Sequence, residues 1–225
     1  KIFIFISKHM SNIIESFKKI NSNIKSLNTK RPVKIIAISK TFPLEHIKPL
    51  IDLGHTHFGE NKVQEAVAKW KLIKKEKDNL KLHMVGKMQS NKAKDAFEIF
   101  DYIHSLDTQK LADIFSKCEN STSRKLNYFI QVNIGKESQK SGIGVSEIDS
   151  FYNYCTKENN LNILGLMIIP PNDQNPSSYF KILDELNASL GLKDLSMGMS
   201  SDYLEAIRHN ATYVRIGSSI FGARV

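Results

Sequence analysis

The chain has 225 residues, 41% of them hydrophobic and 24% charged, enough to enclose one substantial core in a single domain. Its 32 Lys and Arg against 23 Asp and Glu give a net charge of +9, but the lysines are scattered among Ile and Asn with no aromatic-interleaved cluster, which argues against nucleic-acid binding. No run reaches membrane-spanning length, and Cys118 and Cys155 show neither C-x-x-C nor metal-ligand spacing, so reduced thiols in a cytoplasmic protein are expected, with no disulfide and no metal site.

The opening "KIFIFISKH", Lys1 to His9, is too short for a secretory apolar core and lacks a small-residue cleavage site. It reads as an upstream extension or an expression remnant, with the domain running from Met10 to Val225. "SNIIESFKKINSNI" then reads as the capped start of an amphipathic helix at Ser11.

Short apolar or β-branched runs follow, alternating with amphipathic stretches. The strand candidates are "VKIIAISK" from Val33, "HTHFGE" from His55, "LKLHMVG" from Leu80, "YIHSLD" from Tyr102, "NYFIQVNI" from Asn127, "ILGLMII" from Ile163, "DLSMGMS" from Asp194 and "YVRIGSS" from Tyr213. Helical patterns lie between them, including "NKVQEAVAKWKLIKK", "DTQKLADIFSKC" and "SSYFKILDELNASL". Pro43, Pro170 and Pro171 follow strand ends, where no ladder donor is required. Eight strand-helix units predict a closed (β/α)8 TIM barrel with an extra N-terminal helix, because pairing the first strand with the last removes both edges. An open doubly wound sheet is the alternative. In a barrel, chemistry collects at the C-terminal ends of the strands.

Lys40 ends the first strand. Alternation puts it on the face of Ile36 and Ile38, so its amine is expected in the barrel mouth, where poor solvation lowers the ammonium pKa and exposes a nucleophilic amine. A lysine that snorkels outward is the bland alternative. "SMGMSSDY" and "VRIGSSIFG" supply Ser200, Gly217, Ser218 and Ser219 at the last two loops, where barrels commonly build a phosphate cup. Together with Lys40 they point to a ligand carrying an aldehyde at one end and a phosphate at the other. Arg215 lies between Val214 and Ile216 in the eighth strand and must reach a carboxylate or a ligand. On a ring nitrogen it would leave that nitrogen unprotonated.

Across Met10 to Val225, "AISKT", "FGENKVQEA", "HMVGKMQSNK", "QVNIGKE" with "SGI", "GLMIIPP", "SMGMSSDYLEAI" and "VRIGSSIFGAR" resemble, in order, the YggS/PROSC family of pyridoxal 5′-phosphate (PLP) homeostasis proteins. The resemblance implies a barrel of the alanine racemase N-terminal type holding PLP as an internal aldimine. It implies Lys40 as the Schiff-base lysine, Arg215 at the pyridine nitrogen, Ser200, Gly217 and Ser218 on the phosphate, Asn61 beside the ring, and Met167 with Ile169 in the wall. Some family members carry Thr where this chain has Ser218, which keeps the hydroxyl. His83 and Asn133 stand near strand ends, a satisfied core histidine being the ordinary reading of the former. Lys136 and Lys140, in a polar stretch, are candidates for guiding an anionic cofactor.

An arginine at the pyridine nitrogen weakens the electron sink. In alanine racemases of two domains a C-terminal domain supplies a second base, and no such domain is expected in a chain read to Val225. The expected function is therefore PLP storage, buffering or delivery in vitamin B6 and amino-acid homeostasis, by a monomer or weak dimer whose partners are PLP, amino acids or PLP-dependent apoenzymes. Alternatives are a small PLP-dependent amino-acid racemase or lyase, and a Schiff-base aldolase acting on a sugar phosphate.

Overall fold

Among the described residues, nine short strands, all paired in parallel, carry the architecture. The computed structural model describes residues 2–135, 141–171 and 175–222, with side chains from residue 12 onward. In chain order the elements are α1 (Ile2–Lys25), β1 (Lys34–Ile38), α2 (Leu44–Asp52), β2 (His57–Glu60), α3 (Val63–Trp70), α4 (Ile73–Glu76), β3 (Lys81–Met84), α5 (Ala93–Ile99), β4 (Tyr102–Leu106) and α6 (Gln109–Asn120). The second half adds β5 (Asn127–Asn133), β6 (Ile143–Gly144), α7 (Ile148–Asn153), β7 (Ile163–Met167), α8 (Pro176–Ser189), β8 (Asp194–Ser196), α9 (Tyr203–Arg208), β9 (Tyr213–Ile216) and α10 (Ser218–Phe221).

Strands β1 to β5 and β7 to β9 pair side by side, and β1 pairs with β9, so the sheet closes into an eight-stranded barrel. The two-residue β6 adds to β5 outside that ring. All eight barrel strands coincide with the expected runs. Parallel strands covered by helices are buried on both faces, and two apolar groups result. One, between barrel and helices, includes Ile35, Ala37, Phe58, Trp70, Phe115 and Leu183. The other fills the barrel interior with Ile36, Ile38, Val85, Phe129, Met167 and Tyr213. The alternation Ile35/Ala37 outward, Ile36/Ile38 inward is the one read from the sequence.

Helix ends follow local chemistry. Thr108 accepts a hydrogen bond from the Leu111 amide at the start of α6, and Asn175 caps α8 through the Ser177 amide, with Pro176 opening the helix. The stretch "NKVQEAVAKWKLIKK" forms two helices instead of one. Trp70 is fully buried against Phe58 while Leu72 is exposed, and the turn between α3 and α4 lets Lys74 reach the Ile99 carbonyl and Asp101. Helix α1 begins at Ile2, so Ser11 lies inside it and not at its cap. Its Ile13, Phe17, Ile20 and Ile24 form one stripe at helical spacing, packed over α2 and α10. No helix among the described residues is long and apolar enough to cross a membrane.

Barrel closure depends on close approach of β7 to β8. A Cβ on Gly165 would lie 1.6 Å from the Asp194 carbonyl oxygen, a contact that only backbone displacement can relieve. Gly165→Ala is therefore expected to destabilise the fold by more than about 3 kcal/mol, measured by urea unfolding; a loss below about 1 kcal/mol would show that this strand pair tolerates separation.

Candidate functional site

The chain around Lys40 is held from outside the barrel. Ser39, one step out of phase with Lys40, points between β1 and α3 and donates its hydroxyl to Glu60 Oε1 at 2.8 Å. The same carboxylate oxygen accepts from Lys69 Nζ and from Trp70 Nε1, each at 2.9 Å, and Lys69 also donates to the Ser39 carbonyl at 2.8 Å. Glu60 is fully buried, so this ion pair is shielded from water and its geometry is strongly specified. On the other side of Lys40, Thr41 adopts φ 69°, a left-handed conformation uncommon for a β-branched residue, and donates its amide to Glu65. These contacts fix the backbone on both sides of Lys40 and turn its side chain into the barrel mouth.

There it lines a cavity of about 350 Å³ at the C-terminal ends of the strands. Of the expected site residues, Lys40, Asn61, Ser200, Arg215, Gly217 and Ser218 share that cavity, and Ile169 forms part of its wall. Met167 does not line it: fully buried among Ile38, Phe129 and Tyr213, it forms the floor beneath. The amides of Gly217 and Ser219 both donate to Ser200 Oγ, at 3.3 and 3.4 Å, so two backbone donors and a hydroxyl converge at one edge. Asn61 reaches the cavity because Gly86 lets β2 and β3 loops touch; a Cβ on Gly86 would stand 2.4 Å from the Asn61 carbonyl oxygen. Asn133 lines an adjoining cavity of about 310 Å³ that shares Asn61, Val85 and Ile169. Lys136 and Lys140 lie outside the described residues.

Arg215 makes no ion pair among the described residues, although it is 5% exposed. Its Nη1 donates to Ser196 Oγ at 2.7 Å and its Nη2 to the Ile168 carbonyl at 2.7 Å. Burial lowers its pKa to about 10, with Asp202 opposing, and it stays charged at neutral pH. The carboxylate expected as one possible partner is thus replaced by neutral acceptors, and the guanidinium edge is offered to the cavity.

Below Arg215 the barrel holds a line of side chains. Ser196 Oγ meets His104 Nδ1 at 2.8 Å, His104 Nε2 meets His83 Nδ1 at 2.9 Å, and His83 Nε2 meets His57 Nδ1 at 2.9 Å. His83 is therefore not at the mouth but in the interior, stacked on Tyr102 at 4.2 Å. His104 stacks on Phe129 at 4.5 Å. Burial drives the pKa of His83 and of His104 well below that of a solvated imidazole; burial, reinforced by His55, Lys34 and Lys81, lowers that of the half-buried His57 to about 4.

Reading by type and spacing missed the Glu60–Lys69 clamp and the roles of His57, His104 and Ser196. Two signals were present: the inward alternation that pairs His83 with Val85 and His104 with Tyr102, and the i, i+4 spacing of Glu65 and Lys69.

Residues 16–225 match the family of the alanine racemase N-terminal domain. A pyridoxal phosphate homeostasis protein of Haemophilus influenzae is 36% identical over 96% of this chain and 95% of its own length, and one of Aquifex aeolicus is 38% identical over 85% and 87%. The solved structure of PipY from Synechococcus elongatus with PLP bound is 33% identical, with a TM-score of 0.79 over 89% of this chain and 99% of that one. An alanine racemase of Clostridium difficile shares the fold, with a TM-score of 0.73 at 13% identity over 95% of this chain and 57% of that one.

Lys69→Met leaves the Glu60 carboxylate buried without a cation and is expected to cost about 3–5 kcal/mol in urea unfolding, whereas a surface pair such as Lys48–Asp52 contributes at most about 1 kcal/mol. A loss in the surface range would show that the clamp is solvated. The lowered histidines also set a pH slope. Above the ordinary imidazole value of 6.5 both folded and unfolded states are neutral at His55 and His57, and their contribution is complete; below it the unfolded chain takes up protons that the folded state refuses until about 4. Unfolding free energy should fall as pH drops from about 6.5 to about 5, and a flat profile there contradicts the buried neutral rings.

Proposed function

The chain belongs to the alanine racemase N-terminal domain family and, within it, to the pyridoxal phosphate homeostasis proteins, and from that premise we propose that it binds PLP at the barrel mouth and holds it for exchange in vitamin B6 and amino-acid homeostasis. The observation that carries this reading is one cavity that joins a lysine amine, a buried guanidinium without a carboxylate partner among the described residues, and backbone amides converging at its edge. An amine, a ring-nitrogen donor and an oxyanion cup are the three groups that a phosphorylated pyridine aldehyde requires.

Bound there, the cofactor supplies an aldehyde that condenses reversibly with primary amines. Lys40 is the resident amine, positioned by the Ser39 and Thr41 contacts. Arg215 donates to the pyridine nitrogen and, because it retains its proton, keeps that nitrogen an acceptor. Ser200, Gly217 and Ser218 hold the phosphate, where hydroxyl and backbone N–H groups suit a dianion. Asn61 stands beside the ring, Ile169 excludes water from one side, and Met167 supports the floor.

Of the cavity lining among the described residues, only Lys40 and Arg215 ionise. Proton transfer at a substrate carbon on two faces needs a second base, so this lining favours holding and handing over the cofactor above racemisation. The recipients are amino acids or PLP-dependent apoenzymes. Both cysteines are free, in keeping with the reducing cytoplasm in which we place the protein.

Lys40→Ala is expected to abolish both the near-visible absorbance of protein reconstituted with PLP and the borohydride-fixed adduct on the peptide that contains residue 40. Persistence of that absorbance together with a fixed adduct elsewhere refutes the assignment. Incubation of the loaded protein with individual L-amino acids in deuterated buffer should give α-proton exchange far slower than enzymatic turnover; rapid exchange would make the protein a catalyst.

A further inference from the structure

The proposed cofactor contacts end at Arg215, but the hydrogen-bonded line beneath it continues through Ser196, His104 and His83 to His57 at the opposite, N-terminal side of the barrel. Each contact in that line has room for one hydrogen. A neutral imidazole carries one N–H and one bare nitrogen, so choosing the hydrogen at one contact fixes every other. Two arrangements satisfy all of them. In the first, the Ser196 hydroxyl donates to His104 Nδ1, His104 Nε2–H to His83 Nδ1, and His83 Nε2–H to His57 Nδ1. In the second, every N–H stands on Nδ1, His104 donates to Ser196 Oγ, and the serine hydrogen must turn elsewhere.

The guanidinium decides between them. In the first arrangement the bare nitrogen of each imidazole faces the Arg215 side and each N–H faces away, so the ring dipoles present their negative ends to the cation. In the second the dipoles are reversed and oppose it. The rings cannot serve as a metal site in this geometry: their nitrogens are directed at one another, and no group of three or more His, Cys, Asp or Glu side chains among the described residues is arranged to hold a metal ion.

We propose that His57, His83, His104 and Ser196 are positioning residues that form one proton-ordered wire through the barrel, with all three imidazoles neutral and protonated on Nε2, which aims Ser196 Oγ at Arg215 and couples charge at the N-terminal face to the guanidinium in the mouth. The inference rests on this chain's own contacts and holds whether or not the cavity takes PLP. The coupling has a sign. A doubly protonated His57 must donate through Nδ1, which forces His83 and His104 onto Nδ1–H and makes Ser196 Oγ accept from His104; the composition changes by the one proton gained at His57. Positive charge at either end therefore disfavours positive charge at the other. The groups facing His57 are Lys34 from β1, His55 from the approach to β2, Lys81 and His83 from β3, and Asp101 and Tyr102 from the start of β4. Facing Arg215 are His104 and Asp202, with Lys40 lining the same cavity.

The test is 15N-histidine NMR of the full chain, first without cofactor and then with PLP, with the seven histidines assigned by single His→Gln replacements. At about pH 7, His83 and His104 should show a protonated Nε2 and a bare Nδ1; an Nδ1–H tautomer at either ring, or a mixture, overturns the proposal. His57→Leu removes the outermost acceptor and should shift the His104 and Arg215 side-chain nitrogen resonances, although two contacts separate residues 57 and 104. His57→Asp restores an acceptor without a donor and should return those resonances toward the parent values. Unchanged His104 and Arg215 signals in His57→Leu would reduce the line to packing. Should either variant fail to fold, the tautomers of the unsubstituted protein still decide the matter, and because they are read without cofactor, their failure is distinct from a failure to bind PLP.

Discussion

A guanidinium buried inside a parallel barrel, in no ion pair among the described residues, is the constraint to which the rest of this molecule answers. Arg215 projects inward from β9 and is nearly inaccessible to water. An uncompensated buried charge is expensive, and here the compensation comes from oriented neutral groups: a serine oxygen, a backbone carbonyl and, behind the serine, three imidazoles in series. That solution has a structural consequence. The two neutral acceptors below and beside it take one hydrogen bond from each terminal nitrogen and leave N–H donors and an unneutralised positive charge for whatever enters from the mouth.

The two faces of the barrel wall divide the work. The inner face of β1 carries Ile36, Ile38 and then Lys40, while the outer face carries Ser39 into the buried Glu60–Lys69–Trp70 cluster. Reactive amine and structural anchor are thus neighbours in sequence and separated by the sheet in space. This separation lets a buried ion pair stiffen the strand end from outside the barrel while Lys40 lines the mouth. The left-handed Thr41 completes the arrangement by turning the chain directly after Lys40.

The same barrel occurs in alanine racemase at 13% identity and in diaminopimelate decarboxylase at 14%, so the fold by itself does not specify a reaction. The functional reading therefore rests on the content of this chain's mouth. The lining offers one amine, one guanidinium and hydroxyl or amide donors, a set that can grip a phosphorylated aldehyde yet supplies no second proton-transfer group among the described residues. Function here follows from which ionisable side chains the loops bring in.

Sequence alone determined the strands, their inward and outward faces and the gathering of Lys40, Ser200, Arg215, Gly217 and Ser218, because period-two alternation and strand-end position are local properties that closure merely carries to one rim. Asn61 was reached through family resemblance, and its approach depends on Gly86, 25 positions on in the chain. Tertiary structure decided the rest. Met167 proved to be floor and not wall, since the register of β7 against β5 and β8 sets its height. His83, which spacing left as a core or strand-end residue, became the middle of a line only when β2, β3, β4 and β8 were brought around one axis. Helix α1 ran past its expected cap, as a single capping residue does not outweigh a continuing helical segment. Contacts between residues tens of positions apart leave no periodic trace in a chain, which is why a hydrogen-bonded line across a barrel is visible only after the barrel has closed.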